Sequence, residues 1–351
     1  MKMRNEKMDF YKGMLIIGVI LGHTVTALKA DAQINIWMCT FLRTFDMPMF
    51  AFITGLFLNQ SMKKHTSLEN LKSKSCHILW PVLLWTVLVN LLTHNLNLYY
   101  WYLWSIFVCC VLMILTGAIC GNKHQLTPII LIMCCVILHC GVGERLNVGF
   151  LFFPCMIGYY SDILKIWEKK IGKIGKALVI ALFGILLYFW KSEYSVWNIG
   201  CNILRSSRQE VVLIIFRGCI GLVGSLSMMT LYSILYDVLK KFKVDRINTY
   251  IASLGKATLE IYILQTIFIE LILGKLVWVL DRYIGKNVFA LHPILGGYIC
   301  APLIAVISAG VLCMMQKYLK KIPVIGSYLF GLPLGRNKSR RSSENEKTHF
   351  T

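Results

Sequence analysis

The sequence contains few charged residues for its length. Asp, Glu, Lys and Arg make up only 15% of 351 residues, whereas hydrophobic residues make up 57%. Mean hydropathy is +0.63. This composition excludes the soluble globular class and indicates an integral membrane protein. The chain also lacks a phosphate-binding loop, an internal repeat, and metal-type spacing among its 13 cysteines, so we predict neither a metal site nor a disulfide framework.

Long apolar stretches define the predicted architecture. The fold class is all-α, a polytopic membrane helix bundle of about ten transmembrane helices. The predicted spans lie near residues 10–28, 36–58, 77–93, 99–119, 127–141, 148–160, 177–190, 211–236, 251–278 and 295–316. Together they form one transmembrane domain over 1–334, and we expect the basic, serine-containing segment 335–351 to be a disordered cytoplasmic tail.

The net charge of +20 is distributed very unevenly between the two sets of connecting segments. One set, which includes both termini, holds 26 Lys and Arg, whereas the opposite set holds seven. By the positive-inside rule, both termini are predicted to be cytoplasmic. The basic excess is therefore an orientation signal, and we predict no nucleic-acid partner. The first apolar stretch is followed by no small-residue cleavage site, so we expect it to remain as helix 1.

Helix 1 carries two polar side chains in an otherwise apolar stretch. Lys12 and His23 are eleven residues apart, which places them on one helix face about 16 Å apart. A histidine at this depth normally faces the bundle interior or a wet cavity. His23 is therefore the leading candidate for chemistry, although a packing histidine bonded to a backbone carbonyl is an equally valid interpretation.

Helix 2 brings a second pair of charges into the membrane. Arg43 and Asp46 occur one turn apart in the stretch RTFDMPMFAFITG, in the same half of the bilayer as His23. We expect Asp46 to be able to meet His23 and to orient its imidazole. The alternative is that Arg43 and Asp46 neutralise each other as an i, i+3 pair.

Polar residues outside the first two helices are further candidates. Lys72, Lys74 and His77 precede helix 3, where they can bind phosphates or anchor the loop as positive-inside residues. Glu260 and Gln265 lie in the apolar span 251–278, where they can contact substrate or join helices by hydrogen bonds.

Two further segments, one aromatic and one predicted to be external, are candidates for contact with a substrate. The connection THNLNLYYWYLWS is typical of an interfacial aromatic belt, and a sugar-stacking platform is its second interpretation. The predicted external segment 191–209 contains Trp197, Arg205 and Arg208. It is the candidate for binding an extracellular acceptor outside the helices.

Three stretches carry a resemblance to a known family. They are DFYKGMLIIGVILGH at 9–23, FDMPMFAFITG at 45–55 and LGKATLEIYILQ at 254–265. In these stretches the chain resembles the membrane acyltransferase 3 family, and within it the fucose 4-O-acetylase-like polysaccharide O-acetyltransferases. The chain departs from the family pattern in having Lys12 for arginine, Asp46 and Gln265 for histidines, and Lys74 with His77 for two arginines.

The resemblance implies an O-acyltransferase in the bacterial cytoplasmic membrane. Acetyl-CoA from the cytoplasm is the implied co-substrate, with no permanently bound cofactor and no metal. The implied acceptor is a hydroxyl of a surface or capsular polysaccharide, or of a lipid-linked saccharide. The implied roles are catalytic for His23 and Asp46; acetyl-CoA binding for Lys12, Lys72, Lys74 and His77; and substrate binding for Arg43, Glu260 and Gln265.

Two details of this assignment follow from position. His23 would act as general base on the acceptor hydroxyl, whereas Asp9 lies too far along helix 1 to reach His23 and is expected to pair with Lys12. The alternative function is a multi-span glycan transporter, flippase or polymerase without acyl transfer. A transporter typically has paired repeat halves, and a polymerase a large basic external loop, neither of which we find.

Overall fold

A computed structural model describes residues 6–29, 37–120, 126–160, 167, 171–195, 198–285, 289 and 292–331. Within these residues the chain is helical and contains no β-strand, which confirms the predicted all-α class. The tail predicted at 335–351 lies outside the described residues.

The described residues of the first half of the chain form eight helices. They are α1 (Glu6–Ala27), α2 (Trp37–Met62), α3 (Ser67–Lys74), α4 (Trp80–Thr93), α5 (Trp101–Cys120), α6 (Thr127–Ile137), α7 (Val148–Tyr160) and α8 (Lys173–Tyr188). A π-helical turn, Ser75–Leu79, joins α3 to α4 without a break, and another, Leu138–Val142, extends α6.

The second half begins with the longest helix. It contains α9 (Arg208–Lys241), α10 (Asp245–Lys256), α11 (Thr258–Gln265), α12 (Gly274–Ile284), α13 (Ala301–Lys321) and α14 (Pro323–Phe330). A π-helix, Thr266–Leu273, joins α11 to α12, and another, Leu295–Cys300, leads into α13.

Side-chain caps explain where two of these helices begin. Thr66 accepts a hydrogen bond from the Glu69 backbone N–H while the Glu69 carboxylate accepts one from Thr66, which forms a capping box before α3. Ser207 and Glu210 form the same arrangement before α9. Each box satisfies backbone donors that have no partner inside the helix.

Seven continuous helical segments in the described residues are long and apolar enough to cross a membrane. They are Glu6–Ala27, Trp37–Met62, Ser67–Thr93, Trp101–Cys120, Arg208–Lys241, Thr258–Ile284 and Leu295–Lys321. All seven correspond to predicted spans, and the chain is an integral membrane protein.

The other three predicted spans are helical but shorter in the described residues, so the predicted count of ten is not confirmed there. Helix α7 has 13 residues and α8 has 16. At 1.5 Å per residue, α7 is about 20 Å long, less than the apolar thickness of a bilayer. The third segment turns at Gly141, whose φ of 122° lies outside the helical region.

Two ion pairs identify the two sides of the bundle. Lys7 Nζ lies 3.1 Å from Asp237 Oδ2, which joins the beginning of α1 to the end of α9. Lys29 Nζ lies 3.2 Å from Asp281 Oδ2, which joins the residues after α1 to α12. We refer to these as the start side and the end side, according to where α1 begins and ends.

Glycine allows α1 and α2 to touch their neighbours backbone to backbone. A Cβ atom on Gly13 of α1 would lie 2.0 Å from the Ile251 carbonyl oxygen of α10, and one on Gly55 of α2 would lie 2.0 Å from the Cys155 carbonyl oxygen of α7. Close approach at small residues is how membrane helices gain packing contacts. These two crossings fix the helices that carry the candidate site.

We predict that Gly13→Ala and Gly55→Ala each destabilise the fold, because the new methyl group meets a backbone carbonyl that cannot move aside. The expected cost is about 1–3 kcal/mol, which is typical of overpacking. Thermal unfolding of the purified protein in detergent measures it. Gly184→Ala in α8 is the matched control, since its Cβ would meet no atom within 4 Å. Equal melting temperatures for all three variants would contradict the close crossings.

Candidate functional site

His23 forms an ion pair with a glutamate from the far end of the chain. His23 Nδ1 lies 2.9 Å from Glu270 Oε1, and each side chain is 36% exposed. An ionised carboxylate only accepts hydrogen bonds, so at this distance it would accept one from Nδ1–H, and in a neutral imidazole Nε2 would then be the nitrogen able to take up a proton. The pair therefore has the geometry of a base and its orienting group.

Local helix geometry brings Glu270 to His23. Glu270 lies in the π-helix Thr266–Leu273, which interrupts the α-helical pattern between α11 and α12. A π-helix widens the turn and changes which side chains face a neighbouring helix, and such segments are frequent at functional sites. This π-helix packs against α1.

A cavity of about 270 Å³ lies beside His23. We call it the histidine cavity. Its walls come from α1, α2, α5, α7 and α9, with a contribution from the loop after α8. Its polar lining residues include His23, Thr26, Arg43, Asp46, Ser195 and Arg217. The cavity is large enough for a small polar substrate group to approach the imidazole.

Asp46 reaches this cavity from α2. Its Oδ1 accepts a hydrogen bond of 2.6 Å from the Met47 N–H, and its carboxylate interacts electrostatically with Arg43 and His23. Pro48 lies inside α2 one turn after Thr44 and donates no backbone hydrogen bond, so the helix is locally weakened here. The prediction that Asp46 and His23 share one part of the bundle is confirmed.

The predicted acid partner of His23 requires a correction. The carboxylate in contact with the imidazole is that of Glu270, whereas Asp46 lies in the same cavity and is bonded to its own helix. The reason is geometric. Residues of α1 and α2 at the same depth in the membrane lie near each other, but which acid contacts His23 depends on how each helix is rotated about its axis. Arg43 does lie near Asp46, as the alternative interpretation expected.

A second cavity, of about 160 Å³, lies toward the start side. We call it the lysine cavity because Lys12 lines it. The other walls are largely apolar and include Ile16, Ile53, Phe57, Tyr102, Leu259 and Tyr262. Met47 is the residue that lines both cavities. The two cavities therefore lie on either side of one methionine.

Lys12 is held at its position by two contacts. Its Nζ lies 2.7 Å from Asp9 Oδ1 and 5.3 Å from the centroid of the Phe57 ring. The predicted pairing of Lys12 with Asp9 is confirmed. Because Asp9 balances the charge, Lys12 is a positioned rather than an isolated cation.

The three other predicted donor-binding residues lie on the segment around the first π-helical turn. Lys72 is exposed and Lys74 is half-buried, and neither lines the described cavities. His77 is exposed, and its Nδ1 lies 2.9 Å from the Gly331 carbonyl oxygen. Ile78, the next residue, does line the lysine cavity. The segment thus borders the cavity, but its basic side chains do not converge on Lys12.

Glu260 and Gln265 do not line either cavity. Glu260 is ion-paired with Lys320 of α13. Gln265 is almost fully buried, and its Oε1 makes no hydrogen bond among the described residues. The ion pair of Glu260 with Lys320 joins α11 to α13. This is the interhelical contact that was the alternative to substrate binding for Glu260.

A third cavity, of about 600 Å³, lies on the start side among the ends of α2, α5 and α7. Its lining includes His65, whose Nδ1 lies 3.9 Å from Glu69 Oε2 on the surface. Exposed pairs of this kind contribute little energy and orient side chains weakly. Size alone therefore does not make this cavity the candidate site.

Sequence reasoning missed Glu270 and gave Arg217 no role. Both had a detectable signal, because an ionisable residue within an apolar span is a functional candidate by default. Glu270 is the single acid in the stretch 261–280, and Arg217 lies in the apolar first half of α9. Trp101, from the segment interpreted as an aromatic belt, lines the histidine cavity.

Comparisons with known proteins identify the family of the chain. The family profile described as "Acyltransferase domain" matches residues 5–314. Nodulation protein NolL of Mesorhizobium japonicum is 24% identical over 295 residues, which cover 75% of this chain and 76% of that protein. NolL of Sinorhizobium fredii is 28% identical over 90 residues, a quarter of each chain. No solved structure matches significantly.

Proposed function

Because the chain belongs to the acyltransferase 3 family, we propose that it transfers an acetyl group from acetyl-CoA to a hydroxyl of a cell-surface or lipid-linked saccharide. The observation that carries this proposal is that His23 lines the histidine cavity and is held by a contact with Glu270. A sugar hydroxyl is activated when a positioned base removes its proton, and an oriented imidazole can act as that base.

The two cavities suggest one route for each substrate. In the proposed orientation the start side is cytoplasmic, as the basic loops indicate, and the protein lies in the bacterial cytoplasmic membrane. Acetyl-CoA enters the lysine cavity with its phosphates near Lys12 and its pantetheine arm along the apolar walls. Lys72, Lys74 and His77 border this entrance and contribute positive potential rather than direct contacts. The saccharide enters the histidine cavity from the other side.

In the proposed reaction, His23 Nε2 accepts the proton of the acceptor hydroxyl. The hydroxyl oxygen forms a bond to the thioester carbonyl carbon, and the carbon–sulfur bond breaks. The departing thiolate takes the proton from His23, which restores the base. Glu270 stabilises the imidazolium formed between these steps, and Asp46 adds negative potential to the same cavity. Arg43 lies where it can contact the saccharide.

The first experiment is the O-acetyl content of surface glycan, measured by NMR in cells of the source bacterium. Wild type, a deletion strain and a His23→Ala strain with matched protein level are compared. We expect acetyl to be lost in the deletion and in His23→Ala, and to remain in the control His292→Ala, whose side chain is exposed and outside the cavities. Unchanged acetyl in the deletion strain, together with altered glycan export or length, would instead identify a transporter or polymerase.

A second prediction concerns the acid partner. Glu270→Gln should lower kcat by about 10²-fold or more, because an amide can donate to Nδ1 and leave the proton on Nε2. Asp46→Asn should have the smaller effect, since Asp46 makes no direct contact with the imidazole. Acetyl transfer by purified protein measures both. Asp281→Asn on α12, which breaks the pair with Lys29, is the matched control and should remain within about twofold of wild type. A larger loss for Asp46→Asn than for Glu270→Gln would make Asp46 the orienting acid.

A third prediction concerns Met47, which lies between the cavities. Met47→Ala should open the junction, so that butyryl-CoA is used more readily relative to acetyl-CoA, by about tenfold in the ratio of kcat/KM. Release of free CoA without acceptor should also rise, because water reaches the thioester. Met14→Ala removes the same side chain from α1 outside both cavities and is the control. If Met47→Ala leaves the preference between butyryl-CoA and acetyl-CoA unchanged, the acyl donor does not bind through the lysine cavity.

A further inference from the structure

Arg217 places a buried positive charge at the wall of the histidine cavity. Arg217 is only 3% exposed, and it projects from the apolar part of α9. It is one of two arginines among the residues lining this cavity. Keeping a guanidinium in this position is costly unless something compensates its charge.

The contacts of Arg217 hold its position but do not neutralise it. Nη1 donates to the Ile199 carbonyl at 2.5 Å, and Nη2 donates to the Gly200 carbonyl at 2.9 Å. Nε is buried and makes no hydrogen bond among the described residues. The guanidinium also stacks 5.2 Å from the Phe150 ring centroid. All these partners are neutral.

The acids near this part of the cavity are engaged elsewhere. Asp46 interacts with Arg43, and Glu270 is paired with His23. Glu144, on the segment before α7, accepts a hydrogen bond from Asn202 at 3.4 Å. Within the described residues Arg217 has no carboxylate in ion-pair contact. The lining of the histidine cavity therefore has two arginines, Arg43 and Arg217, but one carboxylate, that of Asp46, which leaves an excess of one positive charge.

Aromatic rings flank the same space. Trp101 and Trp190 both line the histidine cavity, together with Phe150. Trp190 is itself buried and stacks on Phe216, with ring centroids 6.2 Å apart, so it is fixed in place. Rigid aromatic faces beside hydrogen-bonding groups suit a sugar ring, which has apolar C–H faces and polar edges.

We propose that the acceptor is an anionic saccharide, whose carboxylate or phosphate group is bound near Arg217 while the hydroxyl to be acylated faces His23. This inference rests on the proposed function and narrows its substrate class. A guanidinium recognises either anion through directed, charge-assisted hydrogen bonds. The carboxylate would come from a uronic acid, and the phosphate from a lipid-linked sugar phosphate. The two sources share one chemistry and are separated by experiment.

The test uses the full-length protein in nanodiscs with matched acceptors. Methyl glycosides in the gluco, galacto and manno series are compared with the corresponding methyl uronates and sugar 1-phosphates. Thermal unfolding reports binding, and acetyl transfer is followed by mass spectrometry of the product ester. We expect selective thermal stabilisation by uronates or by sugar phosphates, and a kcat/KM for that acceptor at least about tenfold above its neutral counterpart. A preference for uronates would identify a uronic acid as the anionic group of the acceptor, whereas a preference for sugar 1-phosphates would identify a lipid-linked sugar phosphate.

Variants separate anion binding from a purely structural role of Arg217. Arg217→Gln should raise KM for the anionic acceptor by about tenfold or more and leave KM for the neutral one unchanged, while Arg217→Lys should restore part of the preference. Arg282→Gln, which removes an exposed charge in the last turn of α12 outside both cavities, is the control and should match wild type. Equal losses for neutral and anionic acceptors in Arg217→Gln would make Arg217 a loop anchor only.

The wild-type measurements decide the proposal even where Arg217→Gln does not fold. If neutral and anionic glycosides stabilise wild type equally, the inference is overturned, whatever the activity. Acetyl transfer to neutral and anionic acceptors at equal kcat/KM leaves the proposed function in place and removes the anionic subsite. Selective stabilisation by anions without any acetyl transfer does the opposite: it supports the subsite and contradicts the acyltransferase proposal for these acceptors.

Discussion

The ion pair between His23 and Glu270 is the interaction on which the site depends. An ionisable side chain within a membrane helix is costly without a partner, and here each of the two has the other as its partner while His23 also lines the histidine cavity. Their separation of 2.9 Å also allows the carboxylate to accept a hydrogen bond from Nδ1–H. The orientation of the imidazole therefore depends on a single contact between α1 and the π-helix.

That contact requires α1 to be held in one place, and backbone packing supplies the constraint. Gly13 lies directly against the Ile251 carbonyl, so α1 and α10 cannot slide past each other without a clash or a gap. Gly55 does the same for α2 against α7. Since α1 carries His23 and α2 carries Asp46, the two crossings determine how the cavity walls meet. Interiors of this density resist small displacements, so the geometry of the site is set by the fold.

The sequence predicted the contacts that follow from residue spacing along a helix. It did not predict the contact that depends on how two distant helices are rotated toward each other. The pairing of Asp9 with Lys12 and the common location of His23 and Asp46 follow from helical periodicity and depth. The choice of Glu270 over Asp46 does not, because it requires knowing how a distant π-helix turns toward α1. Seven of the ten predicted spans are confirmed among the described residues, because apolar composition predicts where a helix forms more directly than it predicts the helix's length.

The two cavities divide the chemistry by polarity. The lysine cavity is lined mainly by apolar side chains and suits an uncharged arm, whereas the histidine cavity gathers His23, Asp46, Arg43 and Arg217. A thioester is stable only while water is excluded, and a sugar hydroxyl becomes nucleophilic only beside a base. Separating the two environments allows both conditions to hold at once. Met47 lines both cavities, so in the proposed reaction the thioester and the hydroxyl would meet at this residue, and the size of its side chain would limit how far water from the histidine cavity reaches the lysine cavity.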